Sequence, residues 1–336
     1  MSVQDQYDEK YRSLIDDQIW KFIEITESWY PPTTAALSVE EQRENYNALC
    51  EAFFQGTPDG VVSRDMPIRL QVPDQGEPDQ INTRMYRMDG QKKPTSLVLY
   101  LHGGGFVVGG LESHDDICAE ICKQTEAVVV AVDFALAPEF TFPTDHRQCM
   151  AVLESLAKVK KRIGGEVPII VVGDSAGGNL AAALCHATRG QEHAPQGQVL
   201  IYPGLASQFT GGSYEEHANA PMLTTQELHG YKSLRTGSVD SLAERADCSP
   251  LNDTTFAGLP PTVVFSAQCD PLCGDGELYC ARIVDEGGRA YCTVEEGLVH
   301  GYLRARHMSD RAADSFARIT EAISMLAEGE WEFDET

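Results

Sequence analysis

The sequence predicts an α/β protein built on an eight-stranded, mostly parallel sheet flanked by helices. Three observations carry that reading. Eight segments of the 336-residue chain read as strands: 62–72, 80–87, 96–101, 127–133, 167–172, 197–202, 261–267 and 289–294. From the third onward they alternate with helical patterns, as parallel βαβ units do. Two of them, around Leu97–Leu101 and Pro168–Val172, run directly into glycine-rich turns.

The elements follow in order. Tyr11, Leu14, Ile15, Ile19, Phe22 and Ile23 recur at helical spacing and predict one amphipathic helix, ended by Pro31-Pro32. A second helix starts at Ser38, with Glu41 in capping-box spacing, carries Tyr46, Leu49 and Phe53 on one stripe and closes near Gly56. These stripes read as core, while Trp20, Trp29 and Tyr30 are expected to be exposed. The first two strands flank the turn-like Pro73-Asp74-Gln75-Gly76, which predicts an antiparallel hairpin with a long turn. Between Leu205 and Ser249 the alternation breaks into polar, Gly-containing sequence with short helical pieces.

Two constellations carry chemistry. Gly173-Asp174-Ser175-Ala176-Gly177 is a G-x-S-x-G between a β-branched strand and an Ala-rich helix. So tight a turn strains the Ser backbone, needs glycine on both sides and leaves the Ser175 hydroxyl at the carboxyl end of the sheet. Upstream, His102-Gly103-Gly104-Gly105-Phe106 ends another strand. Glycines there leave backbone N–H groups uncovered, as an oxyanion hole requires, and the amides of Gly103, Gly104 and Ala176 are the predicted donors. A phosphate-cradling loop is the competing reading, but no G-x-x-x-x-G-K-[ST] is present.

His102–Phe106, Leu136-Ala137-Pro138-Glu139 and Gly173–Gly178 together resemble the α/β-hydrolase fold, specifically its hormone-sensitive-lipase-like esterase family, over about residues 60 to 330. The resemblance implies an α/β-hydrolase fold with a helical cap and hydrolysis of short acyl esters by a Ser-Asp-His triad, without cofactor or metal. It divides the chain into an N-terminal part of the cap (1–58), a catalytic core (59–204), a second cap segment (205–249) and the rest of the core (250–336). Trp20, Trp29 and Tyr30 would then line the acyl pocket. One departure stands out: Phe134-Ala135 occupy the place where the family has Tyr-Arg.

A Ser hydroxyl needs a general base, and an imidazole held by a carboxylate is the usual one. His300 follows the last strand in an H-G-aromatic context, and Asp270 follows the strand before it in a D-P-L context. The order Ser175, Asp270, His300 and both contexts match the family. Asp275 is the rival acid, although it falls where a helix should already have begun. Asp174 is expected to orient the elbow through hydrogen bonds, and His102 to prop the glycine loop. The same triad would serve a deacetylase, amidase or lactonase, and the scaffold could instead serve as a non-catalytic small-molecule receptor.

Composition bounds the partners. The formal charge of −25 argues against nucleic acid and anionic membranes, which it would repel, so a neutral substrate is expected, and the family resemblance implies a small-molecule ester. The polar, acidic N-terminus lacks a signal-peptide pattern, no apolar run is long enough to span a membrane, and the ten Cys lack paired C-x-x-C spacing. Cys269 and Cys273 flank the candidate acid without two further ligands at usable spacing. A cytoplasmic protein with reduced thiols is expected, and a homodimer is left open.

Overall fold

A computed structural model describes residues 2–30, 37–70, 76–162 and 167–333. Helices α1 (Glu9–Leu14), α2 (Asp17–Ser28) and α3 (Val39–Phe53) precede strands β1 (Val61–Asp65), β2 (Ile68–Arg69), β3 (Gln80–Met88) and β4 (Leu97–Leu101). Then come α4 (Asp115–Thr125), β5 (Val128–Asp133), α5 (Thr144–Arg162), β6 (Ile169–Asp174), α6 (Ala176–Thr188) and β7 (Gly197–Ile201). The short α7 (Ser213–Glu216), α8 (Thr225–Thr236) and α9 (Asp240–Ala243) fill the region where the alternation breaks. Finally β8 (Thr262–Cys269), α10 (Cys273–Asp285), β9 (Ala290–Val299) and α11 (Asp310–Glu328) complete the described fold.

The sheet runs β1-β3-β5-β4-β6-β7-β8-β9, with β2 beside β3. From β5 to β9 every neighbour is parallel, whereas β1, β2 and β5 pair with β3 antiparallel. Strands buried on both faces need a layer on each side. One face packs Val98, Tyr100, Val172 and Phe265 with α4 and α11, and the other packs Leu99, Val171, Leu200 and Val264 with α5, α6 and α10.

Three details differ from the sequence reading. The expected first strand is broken at Met66-Pro67 into β1 and β2, making nine strands among the described residues, because proline has no N–H for the ladder. The expected first helix is two, parted at Ile15-Asp16, where the Asp16 side chain caps the Ile19 amide at 2.9 Å. Trp20 is not exposed: it is 5% accessible, in the same apolar cluster as Ile19, Phe22 and Ile23 on α2. Trp29 and Tyr30 are half-buried. Pro31-Pro32 and the turn at 73–75 lie outside the described residues.

Candidate active site

Strands β4, β6, β7, β8 and β9 run parallel, so their carboxyl ends share one rim, the usual crevice of such a sheet. Ser175 follows β6 directly, and the glycine loop follows β4 next to it, with Leu101 paired to Gly173. Ser175 has φ 53° and ψ −117°, a conformation a non-glycine residue holds only when its surroundings impose it. They do so here: a Cβ on Gly177 would collide with the carbonyls of Leu101 and His102, and one on Gly173 with the Gly177 carbonyl. Only glycine lets strand, turn and helix approach this closely.

The base must reach back across the rim. β9 lies three strands from β6, about 14 Å at ordinary strand spacing. The chain bridges that gap by a bulge. Between the pairs Ala267–Glu295 and Cys269–Val299, β8 advances two residues and β9 four, with Gly297 at φ 70° accommodating the extra chain. The irregularity re-aims the end of β9 over the rim, where the His300 ring rests against Tyr202 at 4.9 Å between centroids. His300 Nε2 lies 2.9 Å from Ser175 Oγ, and Nδ1 lies 2.7 Å from Asp270 Oδ2. Asp270 is fully buried, and its other oxygen accepts the Leu272 amide at 2.9 Å. Three side chains 125 residues apart at most thus form one continuous hydrogen-bonded line.

The rivals lie elsewhere. Asp275, in the first turn of α10, accepts the amides of Leu205 and Ala206 at 2.6 and 3.1 Å and the Tyr214 hydroxyl at 2.6 Å. Burial pushes its carboxyl up to about 6, and its partners tie the 205–249 segment to the core. His102 is buried, stacks on Phe134 at 4.3 Å, and donates from Nδ1 to the Gly103 carbonyl at 2.7 Å. Burial, helped by neighbouring His114, lowers it to about 3, so it stays neutral. Phe134, at the departure from the family pattern, is therefore what props the histidine that opens the glycine loop.

Asp174 changes one assignment. Its Oδ1 accepts the Gly103 amide at 2.9 Å and the Tyr100 hydroxyl at 2.8 Å, with His114 Nε2 at 3.4 Å. Burial alone would raise this carboxyl; His114 and the hydrogen bonds outweigh it and hold the group well below its usual range. The Gly103 amide is thus engaged and cannot face an oxyanion. The amides of Gly104, Gly105 and Ala176 donate to no acceptor among the described residues. Spacing alone could not separate Gly103 from Gly105, because the distinction depends on a carboxylate 71 residues away.

Segments outside the sheet are tied to the loops that follow its strands. From α3, Arg43 donates to the carbonyls of Val107 and Ala137 at 2.8 and 2.9 Å and pairs with Glu139 at 2.7 Å. Partly buried Arg304, four residues past His300, donates to Tyr46 of α3 at 2.8 Å and to the Ser113 carbonyl at 2.9 Å. Among the described residues no helix is long and apolar enough to cross a membrane.

Comparison with known proteins agrees with this geometry. The chain is 29% identical over 303 residues to an ethyl acetate hydrolase of Pseudomonas putida, covering 86% of this chain and 90% of that protein. It is 32% identical over 235 residues to the esterase LipI of Mycobacterium tuberculosis, covering 69% and 73%. The crystal structure of EstE1, a thermostable carboxylesterase cloned from a metagenomic library, superposes with a TM-score of 0.79 at 32% identity, over 87% of this chain and 99% of that one. A family described by its alpha/beta hydrolase fold matches residues 98–304, from the strand before the glycine loop to just beyond His300. By sequence and by architecture alike, the chain belongs to the α/β-hydrolase fold family.

Proposed function

We propose that the protein is a serine carboxylesterase that hydrolyses short-chain acyl esters through Ser175, His300 and Asp270 and an acyl-enzyme intermediate. The observation that carries the reading is the line Ser175 Oγ to His300 Nε2 to Asp270 Oδ2, at 2.9 and 2.7 Å. The relatives named as esterases support the ester class, and the ethyl acetate hydrolase supports a short acyl group.

In this mechanism the Ser175 hydroxyl donates its proton to His300 Nε2 as Oγ bonds to the ester carbonyl carbon. The carbonyl electron pair moves onto oxygen, which faces the amides of Gly104, Gly105 and Ala176. Each such preorganised donor is worth about 3 kcal/mol of barrier. Asp270 accepts from Nδ1–H, holding the tautomer and stabilising the imidazolium. Collapse returns the electron pair, breaks the bond to the alkoxy oxygen and passes the Nε2 proton to the departing alcohol. Water, deprotonated by the same nitrogen, then releases the carboxylic acid and restores Ser175. Residues 1–58 and 205–249 form the cap in this reading, and analogy with the family sets the acyl limit at about six carbons or fewer.

Ser175→Ala should abolish turnover of p-nitrophenyl acetate and butyrate while circular dichroism stays unchanged. The wild-type rate should fall steeply along a p-nitrophenyl ester series beyond about six acyl carbons. Ordinary turnover by Ser175→Ala would remove the assignment, and equal rates on long chains would remove the restriction.

A further inference from the structure

Helix α8 meets the glycine loop at two successive residues. Tyr231 and Arg235, one turn apart, face Gly105 and Phe106: a Cβ on Gly105 would collide with the Tyr231 ring, and the Arg235 guanidinium carbon lies 3.6 Å from the Phe106 centroid. Phe106 sits at φ 64°, a conformation its bulk does not favour and packing must therefore impose. The other edge of the same guanidinium reaches α6 and α5. Nη1 donates to Asn179 Oδ1 at 3.0 Å and to the Cys248 carbonyl at 2.9 Å, and Nε donates to Asp145 Oδ2 at 2.8 Å. Asn179 stands one turn beyond Ser175, whose carbonyl accepts its amide at 3.1 Å, and its Nδ2 donates to the Gly204 carbonyl at 2.8 Å.

The Arg235 and Asp145 side chains are 4% and 3% exposed. A buried ion pair contributes little net stability over a well-packed apolar pair, so stability alone does not account for a guanidinium here. What arginine adds is a planar face and a fork that act together. We propose that Arg235 is a positioning residue of the oxyanion hole. Its face presses on Phe106 and its fork holds Asn179, which fixes the Gly104 and Gly105 amides of one wall relative to the Ala176 amide of the other. The cap helix thereby completes the geometry of the core. The inference rests on the esterase reading of Ser175 and deepens it.

The test compares Arg235→Lys, Phe106→Leu and the double variant on p-nitrophenyl acetate and on a boronic acid that mimics the tetrahedral intermediate. Arg235→Lys keeps a charge for Asp145 but loses the face and the fork. Phe106→Leu leaves the buried ion pair intact and carries the test if the lysine variant does not fold. Each single variant should lose about 10- to 100-fold in kcat and in boronate affinity, with KM within about twofold. The double variant should lose no more than the worse single, since both break one contact. Wild-type kcat in both singles, a loss confined to KM, or multiplicative losses would overturn the inference while an active wild type leaves the esterase reading standing. A wild type without esterase activity overturns both.

Discussion

At the residue scale the decisive group beside the Ser175–His300–Asp270 line is Asp174, the first variable position of the G-x-S-x-G pentapeptide. It fastens the elbow of β6 to the glycine loop of β4 through the Gly103 amide. Asp174→Asn keeps the shape and an acceptor at Oδ1 but removes the negative charge on which the donors from Gly103, Tyr100 and His114 converge, weakening each of those bonds. We expect kcat for p-nitrophenyl acetate to fall at least about tenfold with KM nearly unchanged, because the loop amides lose registration while the base remains. A wild-type kcat in a folded Asp174→Asn protein would show that the tie is dispensable. The sequence sets Ser175 directly after an apolar strand, and Asp270 and His300 after later strands in D-P-L and H-G-aromatic contexts, and the structure brings these three side chains together. The engaged state of Gly103 was not legible there, since pairing between distant residues leaves no trace in spacing.

At the element scale, local grammar predicted helix starts better than helix continuity. Ser38 and Glu41 form the expected capping box, with Glu41 Oε2 accepting the Ser38 amide at 2.7 Å. Ser38→Ala should lower stability by about 1 kcal/mol in urea unfolding, and an unchanged midpoint would mean that α3 is held by its tertiary contacts alone. Those contacts are substantial, since Arg43 on α3 binds the loop that carries Leu136 to Glu139. The family's Arg before that loop is absent here; Ala135 donates its amide to Gln148 at 2.8 Å, and Arg43 supplies a cation from another element. The helical stripe of residues 11–23 hid a break because its apolar period survives the interruption at Ile15-Asp16. Glu295-Glu296-Gly297 read as loop for a related reason: a bulge carries the polar and glycine composition of a turn, and only the paired strand distinguishes them.

At the scale of the whole molecule, buried histidines set the acid limit. His102, His146, His186 and His217 are all lowered from their ordinary 6.5, in each case chiefly by burial, His102 to about 3. The unfolded chain therefore binds protons that the folded chain refuses. Stability from these groups is complete above pH 6.5 and is lost as pH falls below it, for His102 down to about 3. Asp275, raised to about 6, acts oppositely, its contribution growing as pH falls from there toward 3.8. Asp133, also raised by burial, acts the same way, and with four histidines against these two carboxyls the urea midpoint should decline below pH 6.5; a flat profile down to pH 4 would contradict this account. The described sheet also ends at β9, whose only ladder neighbour is β8. Marginal strands open before central ones. Because the imidazole hangs from that outermost ribbon, mild denaturant would silence the molecule while its interior stays intact, separating inactivation from melting.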